Sequence, residues 1–188
     1  MDKRLLRKHY IYLRSAQPTQ LKTDASLKIC KKVINDPLWI SADKVMIYAA
    51  YNSEVDVWQL AKIGMELGKK IYLPVIDGNT MQACRIKSLD FEKDYCKDRY
   101  GILEPRDMTE CADANGLDLV IAPMVAADMS KFRLGYGGGF YDRFLQKSSV
   151  PAIGVCYDVQ LLGENDFLPS EEHDIKMSRI YTESFGIV

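Results

Sequence analysis

The spacing of apolar and polar residues divides the chain into predicted helices and strands. Helical spacing or composition occurs in residues 2–17, 19–34, 55–68 and 140–147. In the second of these we expect Thr19 or Thr23 to cap the helix and Leu21, Leu27, Ile29 and Ile34 to face inward. Apolar, β-branched runs predict strands at residues 44–50, 69–76, 117–124, 151–157 and 179–184. Residues 80–89 alternate after an Asp-Gly turn signal, which predicts a hairpin.

Strands that alternate with helices, together with one hairpin, predict an α/β fold. We expect a three-layer α/β/α sandwich, Rossmann-like, with a mostly parallel but mixed sheet. A chain of 188 residues is most simply one domain, residues 1–188. Ligands of such sheets bind at the carboxyl ends of the strands. The segments that follow strands 44–50 and 117–124 are therefore the first places to look for a site.

A glycine-rich segment, RLGYGGGFYDR (residues 133–143), lies between a predicted strand and a predicted helix. Glycine occupies four of the five positions 135–139, where the absent Cβ lets another group approach closely. The first turn of the following helix would present free N–H groups to a phosphate, and Arg133 and Arg143 would add positive charge. A glycine-rich turn without a ligand remains the alternative. The segment follows neither the GxGxxG nor the Gly-Lys-Ser/Thr pattern.

Two carboxylates have positions suited to chemistry. Glu54 follows a buried strand, where it could bind a polar ligand edge or carry a proton, or could simply be an exposed loop residue. Asp142 lies in the first turn of the helix after the glycine loop, where it could hold Mg²⁺ beside a phosphate or only complement the helix dipole. The aromatic residues Tyr136, Phe140 and Tyr141 could stack on a flat heterocycle or serve as packing.

Composition places the chain among ordinary globular proteins. It is 47% hydrophobic and 27% charged. Because its first turns carry charges, we expect neither a targeting segment nor a membrane segment. We therefore expect a cytoplasmic location. Five cysteines are scattered without a CxxC pair, and there are two histidines. This pattern excludes an ordinary Cys/His zinc site and predicts reduced, mostly buried thiols. His173 lies in a charged stretch and is expected to be inert.

Charge is unevenly distributed along the chain. Residues 1–32 carry nine Lys or Arg against two Asp, a net charge of +7, which leaves −8 on the rest. Such a basic arm can bind nucleic acid or close on a phosphate held by the acidic body. The arm lacks the aromatic and arginine interleaving of single-strand binders, so we favour the phosphate clamp or a solvated face.

Several segments together resemble the 5-formyltetrahydrofolate cyclo-ligase family, also called methenyltetrahydrofolate synthetases. The most specific match is RLGYGGGFYDRFL (residues 133–145). Others are KRLLR (3–7), IYAAYNSEVD (47–56), GILEP (101–105), PMVAAD (123–128), IGVCYDVQ (153–160) and LPSEEHD (168–174). The resemblance implies ATP- and Mg²⁺-dependent cyclisation of 5-formyltetrahydrofolate to 5,10-methenyltetrahydrofolate, with release of ADP and phosphate.

The resemblance also implies roles for individual residues. Arg133 and Tyr141 would be catalytic, and Asp142 would be the magnesium ligand. The implied ATP-binding residues are Lys3, Arg4, Arg7, Arg133, Leu134, Gly135, Tyr136, Gly137, Gly138, Gly139, Phe140 and Tyr141. The implied folate-binding residues are Ala49, Glu54, Tyr136, Gly137, Gly138, Gly139 and Phe140. We expect a monomer that binds these small molecules and neither nucleic acid nor membrane.

Three positions depart from the family pattern. Ser178 stands where the family usually has a second metal-binding Asp, Val57 where a Thr is common, and Lys131 where a Gly is common. Asp174 is a nearby acid that could substitute for the missing one. A second hypothesis follows from Ser178: a folate- or nucleotide-binding protein of the same fold without turnover.

Overall fold

The computed structural model describes residues 2–188. Its helices are α1 (Lys3–Ala16), α2 (Thr19–Ile34), α3 (Pro37–Ser41), α4 (Trp58–Glu66) and α5 (Phe140–Leu145). Its longer strands are β1 (Lys44–Met46), β2 (Lys70–Asp77), β3 (Thr80–Ile86), β4 (Tyr95–Lys97), β5 (Leu103–Pro105), β7 (Leu119–Pro123), β10 (Ala152–Val155) and β11 (Arg179–Tyr181). Two-residue strands are β6 (Cys111–Ala112), β8 (Ala126–Ala127), β9 (Arg133–Leu134) and β12 (Gly186–Ile187). Within the described residues, no helix has the length and apolarity needed to cross a membrane.

One eight-stranded sheet forms the centre of the molecule, in the order β12-β11-β10-β7-β1-β2-β3-β6. The five central strands, from β11 to β2, run parallel. The flanking strands β12, β3 and β6 pair antiparallel with their neighbours, and β2–β3 is the predicted hairpin. This mixed, mostly parallel sheet confirms the predicted α/β fold.

Two apolar clusters, one on each face of the sheet, make up most of the core. On β1, Val45 and Ile47 join one cluster, whereas Met46 between them joins the other, as the alternation of a strand requires. The first cluster includes Ile29 of α2 and Leu60 of α4, and the second includes Phe144 of α5. Helices therefore cover both faces, which gives the three predicted layers.

Helix α1 packs separately, against the chain that leaves the carboxyl end of β7. Its Leu6 belongs to a third apolar cluster with Val125, Leu134 and Leu162. Leu134 is the last residue of β9, directly before the glycine loop. This cluster holds the basic arm beside that loop.

Three details differ from the predicted elements. The short β8–β9 hairpin stands between β7 and the glycine loop, so the loop follows β9 rather than the core strand. The expected burial of Leu21 and Leu27 in α2 is wrong, since they are 56% and 53% exposed. The helix begins after Pro18 with no side-chain cap, so the predicted threonine cap is also wrong. Tertiary packing determines the buried face, because α2 buries the side that contains Ile29 and Val33.

The expectation that all five cysteines are reduced is wrong for one pair. Cys84 on β3 lies directly opposite Cys111 on β6, and the two form a disulfide. Residues that far apart in sequence gave no pairing signal, because it is the antiparallel register that brings them together. Cys30, Cys96 and Cys156 are free, and two of them are buried as expected.

Candidate active site

The glycine loop (residues 135–139) presents a set of unpaired backbone donors. The N–H groups of Tyr136, Gly137, Gly138 and Gly139 donate no hydrogen bond to any described residue. Gly137 and Gly139 have φ angles of 104° and 64°, in the region that favours glycine. Several N–H groups exposed on one short loop form a concave site for an anion. This arrangement favours the ligand loop over the empty turn.

Arg7 of α1 is fixed against this loop. Its Nε donates to the carbonyl oxygen of Gly135 at 2.7 Å. A Cβ on Gly137 would lie 3.3 Å from the guanidinium carbon of Arg7, so the absence of a side chain there leaves room for that cation. Arg7 therefore lies where the predicted phosphate clamp would need a cation, and the clamp itself stays a prediction.

The other two cations of the arm that are predicted to bind ATP, Lys3 and Arg4, are placed differently. Lys3 Nζ lies 2.9 Å from Glu171 Oε1 and 3.0 Å from Asp174 Oδ2. These contacts raise the pKa of Lys3 although its burial opposes them. Arg4 is 78% exposed and lies 3.9 Å from Asp2, so it contacts solvent rather than the loop.

Arg133 and Asp142 form an ion pair below the glycine loop. Arg133 NH2 lies 2.9 Å from Asp142 Oδ1, and only 4% of the arginine side chain is exposed. The chain at Ile175 completes the contact, since its carbonyl accepts from Arg133 and its N–H donates to Asp142 Oδ1. Two segments far apart in sequence are thus joined at the start of α5, and Asp142 Oδ2 remains without a hydrogen bond from residues 2–188.

Glu54 approaches the same loop from the end of β1. Its side chain is buried, and Oε2 accepts the N–H of Tyr51 at 2.8 Å. Burial raises the pKa of Glu54, while the Tyr51 N–H, the Tyr136 hydroxyl and the charge of Arg14 oppose that rise. Because the carboxylate sits beside Tyr136, the two predicted loops meet in one place. A buried carboxyl with a raised pKa is suited to hydrogen bonding or proton transfer.

Tyr141 carries a buried hydroxyl with no hydrogen-bond partner among the described residues. Burial and the nearby charge of Glu54 raise its pKa, so the hydroxyl stays protonated and able to donate. Its ring centroid lies 5.9 Å from the Arg133 guanidinium carbon. Buried polar atoms without partners are uncommon in folded proteins, and a bound ligand is one way to satisfy such an atom.

The remaining predicted site residues contribute mainly by packing. Leu134 and Ala49 are buried at 3% and 6% exposure, so ligands would meet their backbone rather than their side chains. The ring of Phe140 covers Gly138, where a Cβ would lie 2.8 Å from the ring. Tyr136 is 46% exposed and offers ring surface at the mouth of the site.

Comparison with known proteins identifies the family of this chain. Residues 1–183 match the 5-formyltetrahydrofolate cyclo-ligase family. The chain belongs to that family. Family membership confirms the resemblance drawn from the glycine loop and the segments around it.

Individual relatives of this cyclo-ligase family agree in length and fold. The 5-formyltetrahydrofolate cyclo-ligase of Escherichia coli K12 is 29% identical over 177 residues, covering 91% of this chain and 94% of its own. That of Haemophilus influenzae is 32% identical, with 72% and 73% covered. The NMR structure of Aquifex aeolicus 5,10-methenyltetrahydrofolate synthetase superposes with a TM-score of 0.86 at 28% identity, covering 99% and 92%.

The departures from the cyclo-ligase pattern have clear positions. Ser178 lies just before β11, and its hydroxyl accepts the N–H of Ala152 at the start of β10. Ser178 therefore lies at the amino ends of the parallel strands, where its hydrogen bond joins β10 to the chain that enters β11. Lys131 has a φ of 69°, a conformation in which glycine is unstrained. Val57 is fully buried at the start of α4 and provides no side-chain cap.

Among the described residues, no group of three or more His, Cys, Asp or Glu is arranged to hold a metal. Asp142 can offer one carboxylate oxygen to a metal ion. Asp174 precedes Ile175 in the chain, and the N–H of Ile175 donates to Asp142 Oδ1. Burial favours a higher pKa for Asp174, but the Glu171 N–H and Lys3 outweigh burial and lower that pKa. Asp174 is therefore ionised at neutral pH. Such a set fits Mg²⁺ bound mostly by phosphate oxygens and water, with one or two carboxylates.

Arg14 is a site residue that the sequence analysis missed. It is 1% exposed and donates to Ser53 Oγ at 3.1 Å and Tyr136 Oη at 2.7 Å, and it lies 3.5 Å from the carbonyl of Met124. It therefore ties the glycine loop to the segments after β1 and β7. Lys3, Arg7 and Arg14 recur at spacings of four and seven on one face of α1, and that periodicity could have revealed it.

Proposed function

We propose that this chain catalyses the ATP- and Mg²⁺-dependent cyclisation of 5-formyltetrahydrofolate to 5,10-methenyltetrahydrofolate, with release of ADP and phosphate. Membership of the cyclo-ligase family supports the reaction. The observation that carries the site assignment is the set of free N–H groups at residues 136–139 with Arg7 beside them. Glu54 and the unpaired Tyr141 hydroxyl adjoin that set from the other side.

The proposed chemistry activates a poor leaving group. The formyl oxygen attacks the γ-phosphorus of ATP, and ADP departs as the new phosphorus–oxygen bond forms. N10 of the folate then attacks the activated formyl carbon, and the bond from that carbon to the phosphorylated oxygen breaks. Phosphate leaves with the former formyl oxygen, and N10 loses its proton to give the methenyl product. This sequence needs positioning and charge neutralisation more than a protein nucleophile.

We assign the nucleotide to the cationic side of the glycine loop. The backbone N–H groups of residues 136–139 would hold phosphate oxygens, and Arg7 would add positive charge there. Lys3 is farther along the same face of α1 and would reach the phosphates by exchanging its partners Glu171 and Asp174. Arg4 would contribute to the general positive potential of the arm.

Mg²⁺, when bound, neutralises phosphate charge during transfer. Asp142 would be its protein ligand, with Asp174 as the second acid in place of the usual Asp at position 178. The contacts of its Oδ1 with Arg133 and the Ile175 N–H would fix the orientation of the Asp142 carboxylate. On this assignment Ser178 is not required for metal binding.

We assign the folate to the opposite side of the loop. Glu54 would hydrogen-bond the polar edge of the pterin, with Ala49 and Phe140 lining the position. The unpaired hydroxyl of Tyr141 would donate a hydrogen bond to the formyl oxygen or to the phosphoryl group. Arg133 would add positive charge beside the transferred group while it holds Asp142. We further propose that the protein works as a cytoplasmic monomer.

The test is a turnover assay in which purified protein is mixed with 5-formyltetrahydrofolate, ATP and Mg²⁺, and methenyl absorbance is followed in the near ultraviolet. We expect product that requires both ATP and Mg²⁺. Folate binding without any ATP-dependent product would refute the enzyme hypothesis. It would favour the second hypothesis drawn from Ser178, a folate- or nucleotide-binding protein without turnover. Tight, strongly salt-dependent binding of RNA or DNA would instead support a nucleic-acid function for the basic arm.

A further inference from the structure

A disulfide ties β6, an outermost strand of the sheet, to β3. Cys84 on β3 and Cys111 on β6 lie opposite each other in the antiparallel register, 27 positions apart in the chain. The bond therefore closes a loop, the 85–110 segment, which contains β4 and β5. Neither cysteine has a role in the proposed reaction, so the bond itself calls for an explanation.

Apart from the disulfide, β6 is held to β3 mostly by contacts at the surface. The Arg85 N–H donates to the Glu110 carbonyl at 2.9 Å, next to a ladder of two residue pairs. The side chains of Arg85 and Glu110 pair at 2.7 Å, and Lys87 pairs with Asp107 at 2.8 Å. These four side chains are 31–49% exposed, and exposed ion pairs contribute little to stability. The covalent bond is therefore the strongest single tie between the two strands.

The middle of the 85–110 segment has anchors of its own. Tyr95 is buried in the first apolar cluster, and Leu103 packs against that cluster. These two contacts lie on β4 and β5, and they do not involve β6. Breaking the disulfide would therefore release the end of the segment without unfolding the whole of it.

The end of the segment is connected to the proposed folate site. The Arg106 N–H donates to the Asp94 carbonyl at 2.9 Å, which joins the end of the segment to its first half. In that half, Phe91 packs on Tyr95 with ring centroids 5.3 Å apart, and Phe91 lines a cavity that Glu54 also lines. Because Glu54 is assigned to the pterin, the position of the segment bears on substrate binding.

Cys111 is the accessible member of the pair. Cys84 is 1% exposed, whereas Cys111 is partly exposed at the edge of the sheet. Exchange with an external thiol requires access to one sulfur of the bond. By contrast, Cys30 and Cys156 are buried, and burial raises the pKa of both thiols, which makes them unreactive. A reductant would therefore meet the bond at Cys111.

We propose that Cys84–Cys111 is a reversible exchange site for a protein dithiol of the Cys-x-x-Cys class, and that the intact bond fastens the 85–110 segment for substrate binding. The effect on substrate binding rests on the proposed function. Disulfides in cytoplasmic proteins are usually transient, which agrees with the proposed location.

The exchange proceeds in two steps. A thiolate of the dithiol attacks Cys111 Sγ, the bond between the cysteines breaks, and Cys84 leaves as a thiolate that takes up a proton. The second thiol of the reductant then attacks the reductant sulfur that is bonded to Cys111, and Cys111 leaves and is protonated. The reductant becomes a disulfide, and this chain gains two electrons and two protons.

The first experiment tests the exchange in the folded protein. The protein is treated with dithiothreitol without denaturant and quenched with acid, and its peptides are mapped by mass spectrometry. We expect the linked peptides of Cys84 and Cys111 to separate, and to be linked again when glutathione disulfide is added before the quench. Cleavage of the bond only after denaturation, or failure of the bond to form again, would overturn the proposal.

The second experiment tests the effect on the 85–110 segment by amide hydrogen exchange. In the reduced protein and in Cys111→Ser, exchange in residues 85–112 should be at least about tenfold faster, with β7 unchanged. The matched control is Cys96→Ser, which removes a free cysteine of β4 and should exchange like the unaltered protein. If Cys111→Ser does not fold, the reduced unaltered protein supplies the comparison. Unchanged exchange after reduction would overturn the proposal whether or not the chain has turnover.

The last measurement concerns the substrate. Reduction should raise KM for 5-formyltetrahydrofolate about fivefold, at the low end of couplings between sites, and change kcat less than about twofold. Cys96→Ser should keep this response to reductant. An active enzyme whose KM is the same in both redox states would overturn the proposal. Faster exchange in a chain without any turnover would support the exchange site and refute the proposed function instead.

Discussion

Replacing Arg14 by methionine should disturb both the stability of the fold and the ionisation of Glu54. The change removes two short hydrogen bonds, to Ser53 and Tyr136, and a third contact of 3.5 Å that is weak by geometry. Hydrogen bonds from charged groups contribute about 1.5–3 kcal/mol each, so the two short ones set an upper range of about 3–6 kcal/mol. Ser53 keeps Ser15 as a partner and Tyr136 can reach water, which lowers the expected loss to about 3 kcal/mol.

The same substitution should move the pH profile. Because the charge of Arg14 opposes the burial that raises the pKa of Glu54, its removal should raise that pKa further. The acidic limb of the kcat/KM profile should therefore shift to higher pH. Arg14→Lys keeps the charge but not both contacts, so it should restore the pH limb more than the stability.

Guanidinium unfolding and a pH series of kcat/KM measure the two effects. Lys8→Met, an exposed lysine of the same helix, is the control and should change the free energy of unfolding by less than about 0.5 kcal/mol. If Arg14→Met cost less than about 1 kcal/mol, below the low end for one charged hydrogen bond, and left the pH limb in place, the positioning role would be refuted.

Three further predictions concern Lys131, Lys3 and the cysteines. Lys131→Gly should raise the free energy of unfolding by about 0.5 kcal/mol in chemical denaturation, because a φ of 69° strains any other residue, and a clear loss would contradict that. Lys3→Met should cost about 1 kcal/mol at pH 7. The pKa of Asp174 lies below its ordinary 3.8, and the pKa of Lys3 lies above its ordinary 10.5. The stability difference between the unaltered protein and Lys3→Met should therefore persist between those two pH values and disappear as pH falls through the lowered Asp174 pKa. A stability difference that does not depend on pH would refute the pairing. Thiol titration of the unfolded protein should count three groups without reductant and five with it, whereas five in both would contradict the Cys84–Cys111 disulfide.

The sequence predicts the layers of the fold because local patterns determine them. Apolar runs such as that around Val120, and the Pro18 break between two helices, need only neighbouring residues to be interpreted. Which residues of α2 are buried was harder to predict, because contact with the sheet determines its inward face. Ile29 is buried, whereas Leu27 is exposed. The β8–β9 hairpin is two residues per strand, too short to give a pattern.

The site could be predicted only in part for a related reason. The loop composition and the position of Glu54 after a strand identified two halves that the structure brings together at Tyr136. Pairings that depend on long-range contact had no local signal. The contacts of Arg133 and Asp142 with Ile175, and of Ser178 with the start of β10, are such pairings, because each depends on where the tail of the chain lies.

The most direct test of the proposed reaction follows the formyl oxygen. 5-Formyltetrahydrofolate labelled with oxygen-18 in the formyl group is converted with unlabelled ATP, and the phosphate and ADP are examined by mass spectrometry. Transfer of the γ-phosphoryl group to the formyl oxygen predicts that the released phosphate carries the label in proportion to the methenyl product, with none in ADP. Unlabelled phosphate alongside full product formation would contradict it.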